Sequence, residues 1–353
     1  MRSTLDAHLE YVAKAGEIGV QTNRETGAAA HGRFVALDSL RGLAAFTVMI
    51  HHYLLTFPAI FPYGQQEAPV WVRLLTYTPL HLFWAGYEAV LLFFMMSGFV
   101  LSLPYQTNRP LEYGSFVIRR WARIWWPYVV VVTMAGACGL LLQHLSVPGL
   151  SIWFANAWAG ISLEGYLNHL LLIGNLDQFS TQFIPVVWTL RYEMLASLAF
   201  PLLLWLSRSL SWPVLLLLGA ALNYLGIHYS QSLRPFEFVV MFLVDILLSR
   251  HREFLVAGFR RMPRLFHVPL LALAFTLYLS TWLSWHADRP DWESSLLDLA
   301  ITAAAVFAIV TALASRTAHA LLSLRAVVWL GRVSYSLPRL GVDKAHIVRH
   351  HGQ

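Results

Sequence analysis

The chain has 353 residues, of which 57% are hydrophobic and only 12% are charged, and its net charge is +6 at neutral pH. Soluble domains carry about a quarter charged residues, so this composition excludes a water-soluble globular protein and indicates an integral membrane protein. The positive charge does not indicate nucleic-acid binding, because the basic residues form short clusters between apolar segments.

The two ends of the chain differ from its middle. Residues 1–33 are polar and contain no apolar segment like that of a cleaved signal peptide, so we expect a disordered cytoplasmic tail. A single membrane domain is expected over residues 34–337. Residues 338–353 form an atypical polar tail.

Apolar segments long enough to cross a membrane recur along the middle of the chain. A spanning helix needs about 20 apolar residues. The predicted spans are 36–57, 80–103, 124–145, 186–207, 212–229, 235–249, 265–285 and 294–314, followed by a broken one from 326. The stretch 150–176 is expected to lie at the membrane interface or to re-enter. The predicted fold is an all-α, polytopic transmembrane helical bundle with about eight complete spans and a truncated ninth.

The orientation follows from the Lys and Arg residues in the connections. With the N-terminus inside, 17 of them lie in inside segments and 3 in outside loops. Inside loops of membrane proteins are enriched in Lys and Arg, so we predict a cytoplasmic N-terminus.

The first predicted span contains ionisable residues, which are costly in a membrane and usually functional. Arg41 and His52 are eleven residues apart, or three helical turns plus about 20°, so they share one face with about 16 Å between them along the axis. Asp38 can pair with Arg41 or cap the start of the helix. His52 is a candidate general base, although Arg41 reaching headgroups and His52 bonding a neighbouring helix explain the pattern equally.

Four further segments carry distinctive residues. In chain order they are Phe93–Phe99 (FFMMSGF), Phe116–Ile124 (FVIRRWARI), Trp188–Glu193 (WTLRYE) and Trp329–Leu337 (WLGRVSYSL). Together with Leu37–Ala45 and the following His52, their order and spacing resemble the motifs of the acyltransferase 3 family. Members of this family are membrane-embedded O-acyltransferases that modify cell-surface glycans.

The resemblance implies an enzyme, an acyltransferase that transfers groups other than amino-acyl groups. It would move an acyl group, with acetyl expected, from cytoplasmic acyl-coenzyme A to a hydroxyl of a cell-surface glycan or lipid-linked sugar. Acyl-coenzyme A is then a co-substrate, and no bound cofactor is expected. The other expected partners are the glycan acceptor and membrane lipids, with no nucleic acid, in the inner membrane of a bacterium.

Three residues are expected to be catalytic. His52 would activate the acceptor hydroxyl as a base, with a transient acyl-histidine as the alternative. Arg41 would assist at the cytoplasmic mouth. Glu193 would pair with an arginine, orient His52 or help to hold the acceptor, and the sequence does not distinguish these roles.

Further residues are expected to bind or support. Arg120 and Arg123 would hold the donor phosphates, since arginine binds phosphate through two parallel hydrogen bonds; simple topological anchoring is the alternative. Asp38, Trp188 and Ser97 are expected to support the site, and Ser97 is interpreted mainly as a small residue that allows close helix packing.

Two other features receive no catalytic role. The basic stretch 250–264 is interpreted as a topology signal and an anchor for anionic lipids. Asp245 lies in an apolar segment and needs a partner that the sequence does not identify.

The C-terminal tail departs from the family pattern. After Leu337 the family continues through an apolar Y-L-x-H helix, whereas here Pro338 breaks the helix and charged residues follow. A frameshift or truncation is therefore expected, and an inactive family member is one alternative function. A polytopic sugar exporter is another, because intramembrane charges also mark transport pathways. The three histidines of this tail are not expected to bind metal; they are His346, His350 and His351.

Overall fold

The computed structural model describes residues 35–60, 68–106, 111–142, 148–158, 161–172, 183–229, 233–286 and 288–334. Every regular element within these ranges is a helix, so the prediction of an all-α fold is confirmed. The predicted N-terminal tail 1–33 and polar tail 338–353 lie outside the described residues.

Fifteen α-helices follow one another along the described part of the chain. They are α1 (35–54), α2 (Val70–Tyr77), α3 (Gly86–Ser102), α4 (Tyr113–Leu142), α5 (Ile152–Trp158), α6 (Leu163–Leu170), α7 (Val187–Ser209), α8 (Trp212–His228), α9 (Arg234–Glu237), α10 (Val239–Arg261), α11 (Arg264–Tyr278), α12 (Ser280–Leu283), α13 (Asp291–Ala314), α14 (Arg316–Leu322) and α15 (Arg325–Ser334). Two 3₁₀ helices flank α3, at Pro79–Trp84 and Leu103–Gln106.

Four helical segments of the described chain are long and apolar enough to cross a membrane, which supports an integral membrane protein. They are Gly86–Gln106, Tyr113–Leu141, Val187–Ser209 and Asp291–Ala314. α8 and α11 are apolar but shorter. The helices α5 and α6, in the stretch predicted to stay at the interface, have only 7 and 8 residues and are too short to cross.

The long helices place their ends at two levels. Arg250 of α10 donates to the carbonyl of Ser207 near the end of α7, and Arg260 donates to the carbonyl of Ala314 at the end of α13. The start of α1 and the end of α3 meet at the same level, because Leu37 and Phe99 line one cavity. We call this level the basic end, and the level at which α3, α10 and α13 begin the opposite end.

α3 lies at the centre of the bundle and α4 at its margin. Of the apolar window of α3, 72% is buried within the protein, against 28% for α4. Leu91 and Met95 of α3 are completely buried in the main core, where they pack with Phe242 of α10 and Ile309 of α13. Because lipid is as apolar as these side chains, close van der Waals packing and not removal from water stabilises this core.

Two glycines bring α15 against α1. A Cβ on Gly42 would lie 2.3 Å from the backbone nitrogen of Gly331, and a Cβ on Gly331 would lie 2.7 Å from the carbonyl oxygen of Asp38. Only the absence of side chains allows this approach. The last recognised motif of the sequence therefore packs directly on the first.

α10 is longer than the predicted span 235–249. It remains helical to Arg261 because no residue breaks it before Pro263, and a proline disfavours helix in the residue that precedes it. The basic stretch treated as a connection is thus largely a helical extension of α10. α4 likewise begins at Tyr113, eleven residues before the predicted span, so Arg120 and Arg123 lie on a helix.

Candidate functional site

Arg120, Glu193 and Ser97 belong to three different helices and meet in one hydrogen-bonded group. Arg120 Nη2 donates to Glu193 Oε1 at 2.5 Å and to Ser97 Oγ at 2.7 Å. The Ser97 hydroxyl donates to the same Glu193 oxygen at 2.6 Å. These charge-assisted bonds join α3, α4 and α7, and of the three roles considered for Glu193 the structure shows the pairing with an arginine.

Ser197 completes the group and was not identified from the sequence. Arg120 Nε donates to Ser197 Oγ at 3.0 Å, and the Ser197 hydroxyl donates to the carbonyl of Glu193 at 2.6 Å. Ser197 follows Glu193 by four residues, so both lie on one face of α7. This four-residue spacing is the sequence signal from which Ser197 could have been identified.

The ion pair is largely buried. The side chains of Arg120 and Glu193 are 12% and 21% exposed. Two of the three guanidinium nitrogens of Arg120 already donate to protein oxygens. Arg120 therefore holds three helices together, and the phosphate binding expected of it from the resemblance stays a prediction.

Two more arginines lie near enough to Glu193 for their charges to act on its carboxylate. The charges of Arg41 and Arg123 both act on it, together with the charge of Arg120. Arg41 lies over the ring of Phe93, with 5.6 Å between its guanidinium carbon and the ring centroid. The group thus brings three guanidinium groups near one carboxylate, and Asp38 adds a second carboxylate one turn before Arg41 on α1.

We call this group the arginine site; it consists of Arg41, Ser97, Arg120, Arg123 and Glu193. It gathers residues from four of the five motifs recognised in the sequence. The fifth motif lies next to it, since Gly331 packs on the α1 turn that precedes Arg41.

Asp38 does not cap α1 as expected. The described part of α1 is already helical at residue 35, so Asp38 lies within the helix. Asp38 also provides the carbonyl against which Gly331 packs.

His52 lies near the end of α1, and its ring orientation is fixed. Its Nδ1 is 2.8 Å from the carbonyl oxygen of Val48, which can only accept a hydrogen bond, so Nδ1 carries the proton. In the neutral ring Nε2 is then the basic nitrogen. The ring also contacts Trp153 of α5, at 5.8 Å between centroids. Ser151 immediately precedes α5. Its hydroxyl donates to the carbonyl of Leu55 at 2.6 Å and so holds the start of α5 beside the end of α1.

His51 is held differently from its neighbour. Its Nδ1 lies 3.0 Å from the carbonyl of Trp84, and its ring stacks on the Trp84 indole. A Cβ on Gly86 would lie 2.4 Å from the His51 ring, so α1 and the start of α3 approach closely here. These contacts support His51 as a packing residue and His52 as the better candidate.

His52 and the arginine site are two separate groups on α1. About 16 Å of helix axis separate Arg41 from His52. Among the residues that the structure describes, no hydrogen bond joins His52 to Glu193. Glu193 is therefore placed with the arginines and not as the residue that orients His52.

Trp188 supports α7 through ring contacts. Its indole lies edge-on to Phe94 of α3 at 6.4 Å and to Tyr192 at 6.0 Å, and it is tilted against Phe238 at 5.9 Å. It fixes the helix that carries Glu193, one and a half turns away.

Asp245 is completely buried, and within the described residues neither of its oxygens has a hydrogen-bond partner. It packs on Gly98, whose added Cβ would lie 2.3 Å from Asp245 Oδ2. The predicted close packing at the Ser97–Gly98 step is therefore present between α3 and α10.

A second polar network lies at the opposite end and was missed. The Tyr87 hydroxyl lies 2.8 Å from Asp298 Oδ1 and 3.1 Å from Glu237 Oε1. Asn223 donates to Asp298 Oδ2 at 3.1 Å, and Ser295 donates to Asn223 at 2.5 Å. Acidic residues inside apolar segments were the sequence signal for this network, but Glu237 and Asp298 were not singled out by it.

No group of three or more His, Cys, Asp or Glu side chains within the described ranges is placed to hold a metal ion. The three histidines of the C-terminal tail lie outside these ranges.

Comparison with known proteins identifies the family. The family model of an acyltransferase domain, that of acyltransferase 3, matches residues 34–337, which is most of the chain. No curated protein and no solved structure matches the chain. The matched range contains the arginine site, His52 and all five motifs, and the chain therefore belongs to the acyltransferase 3 family of membrane proteins.

Proposed function

We propose that this protein transfers an acyl group, acetyl in the simplest case, from acyl-coenzyme A to a hydroxyl of a cell-surface glycan or lipid-linked sugar. The observation that supports this most is the pairing on one helix of a positively charged site with a histidine whose Nε2 is basic. The positively charged site attracts a phosphate-rich donor, and the basic nitrogen of the histidine is required to activate a hydroxyl.

The basic end faces the cytoplasm of a bacterial cell in this proposal, and the donor approaches from there. The bias of Lys and Arg toward this end supports the orientation. In this proposal eight helices of the described chain cross the membrane: α1, α3, α4, α7, α8, α10, α11 and α13. Four of them lie in segments long and apolar enough to do so, which supports part of this count.

His52 acts as the general base. Its Nε2 takes the proton of the acceptor hydroxyl while the hydroxyl oxygen attacks the thioester carbonyl. The new C–O ester bond forms, the C–S bond breaks, and the leaving thiolate receives the proton from His52. The products are an acyl ester and free coenzyme A, so no other reactant is needed.

Arg41 acts at the mouth of this path. It lies on the same face of α1 as His52, and its charge acts on the Glu193 carboxylate. The buried Arg120–Glu193 pair fixes α3, α4 and α7 around it, and Arg123, an exposed residue on α4, adds positive charge where the donor arrives.

Inverted membrane vesicles that contain the protein test the function. Supplied with labelled acetyl-coenzyme A, they are expected to incorporate label into a glycan fraction as an ester that mild base releases. Vesicles without the protein are the control. Vesicles that move a sugar across the membrane without incorporating label would support an exporter and contradict the proposal.

A further inference from the structure

A cavity of about 640 Å³ opens at the basic end of the bundle, between α1, α3, α10 and α13. Small-molecule sites in proteins typically measure about 300–1,000 Å³. Three arginines form one side of the cavity, Arg252, Arg260 and Arg261 of α10. Apolar side chains form the other, among them Leu37, Phe99 and Leu313.

The arginines are arranged by the helical repeat of α10. Arg252, Val256 and Arg260 are four residues apart, so they form one stripe facing the cavity. About 12 Å of helix axis separate Arg252 from Arg260. Arg261 lies on the neighbouring stripe of α10, which begins with Glu253. The cavity wall thus carries two arginines at the end of α10 and the Arg252–Glu253 pair about two turns earlier.

Little negative charge neutralises this wall. Among the described residues that line the cavity, Glu253 is the one acidic residue, and it lies 3.6 Å from Arg252 in a pair whose side chains are 86% and 43% exposed. Exposed pairs of this kind are weak. Arg260 is positioned by donating to the carbonyls of Ala314 and Leu313, at 3.3 and 3.5 Å. Neither bond neutralises its charge.

The apolar side of the cavity leads toward the arginine site. Leu37 precedes Arg41 by four residues on α1 and therefore lies on the same face. Leu37 and Phe99 are both almost fully buried. A ligand chain that leaves the arginines along Leu37 therefore reaches the side of α1 on which Arg41 lies.

We propose that this cavity binds the phosphate end of an amphiphilic ligand. Its phosphates bind Arg252, Arg260 and Arg261, and its uncharged chain lies over Leu37 and Phe99 toward Arg41. Arginine forks suit phosphate oxygens, and the apolar wall excludes a ligand that is charged along its whole length.

The identity of the ligand rests on the proposed function. Acyl-coenzyme A has phosphates at one end and a long uncharged arm that carries the thioester at the other. The phosphate contacts expected of Arg120 and Arg123 are then made by the arginines of α10. An anionic phospholipid presents the same chemistry, so the experiment must separate the two sources.

The binding experiment uses the purified full-length protein and a triple variant, Arg252→Gln, Arg260→Gln and Arg261→Gln. The matched control is Arg264→Gln, Arg316→Gln and Arg325→Gln, three exposed arginines of the same end that do not line the cavity. Affinity is measured for coenzyme A and for dephospho-coenzyme A, which lacks the 3′-phosphate. Phosphatidylglycerol that co-purifies with each protein is measured by mass spectrometry.

We expect the dissociation constant for coenzyme A to rise at least tenfold in the triple variant and less than threefold in the control. A triple Arg→Lys variant, which keeps the charges, should lie between them, and all variants should keep the wild-type melting temperature within a few degrees. Loss of bound phosphatidylglycerol with unchanged coenzyme A affinity would show a lipid site and overturn the donor assignment. Unchanged binding of both would overturn the cavity proposal.

These outcomes are separate from a failure of the proposed function. If the triple variant binds coenzyme A normally while His52→Gln abolishes acyl transfer, the cavity inference fails and the transferase remains. If coenzyme A binding requires the three arginines but the wild-type protein transfers no acyl group, the cavity inference stands and the proposed function fails.

Discussion

Arg120 Nη2 lies 2.5 Å from Glu193 Oε1, and this ion pair joins α4 to α7 inside the bundle. Ser97 of α3 bonds both partners, so three helices depend on one contact. A pair that is this deeply buried leaves an uncompensated charge when one partner is removed.

We predict that Glu193→Ala lowers the free energy of unfolding by about 3–5 kcal/mol. The double variant Arg120→Met, Glu193→Ala should lose clearly less than the sum of the two single variants, because neither charge is then left alone. Unfolding in detergent, followed by melting temperature and by denaturant, measures both effects. Additive losses would show that the two residues do not interact.

Gly331 provides a test of the contact between α15 and α1. In Gly331→Ala the new Cβ would lie 2.7 Å from the Asp38 carbonyl, so the helices must separate, at a cost of about 1–3 kcal/mol. Acyl transfer should fall as well, since Arg41 lies in the next turn of α1. The matched control is Gly258→Ala, where a Cβ meets open space and a helical alanine should stabilise by roughly 0.5–1 kcal/mol. Equal melting temperatures for the two variants would contradict this packing.

The network at the opposite end predicts a stability effect for Tyr87. Tyr87→Phe removes the hydroxyl that bonds Asp298 and Glu237 and should cost about 1–3 kcal/mol, because buried carboxyl groups lose a partner. The control is Tyr229→Phe, whose ring is 55% exposed and which should change stability little. The comparison uses melting temperatures in one detergent. A Tyr87→Phe protein as stable as the control would show that the network contributes nothing.

The sequence was sufficient to predict the helical class, the family and the residues that form the arginine site. Arg41, Ser97, Arg120 and Glu193 were all identified from local motifs, but motifs carry no information on which partners meet across helices. Ser97 was interpreted mainly as a packing residue, yet its hydroxyl bonds Arg120 and Glu193, while its neighbour Gly98 makes the close contact.

Other features escaped sequence reasoning for physical reasons. The basic extension of α10 was interpreted as a topology signal, because Lys and Arg beside a span have the same composition whether or not they line a cavity. The network of Tyr87, Glu237 and Asp298 draws on three helices and has no local pattern. The start of α4 and the end of α10 lie farther from the apolar segments than the predicted spans indicated. A helix continues beyond its apolar part until a helix-breaking residue occurs.

His52 provides the most direct test of the central claim. Acyl transfer is measured in membranes that contain equal amounts of wild-type protein, His52→Gln or His267→Gln; the last is a control in another partly buried histidine near a backbone carbonyl. If His52 is the general base, its replacement should lower the rate at least a hundredfold, while the control stays within about twofold of wild type. A His52→Gln protein that transfers acyl groups at the wild-type rate would contradict the mechanism.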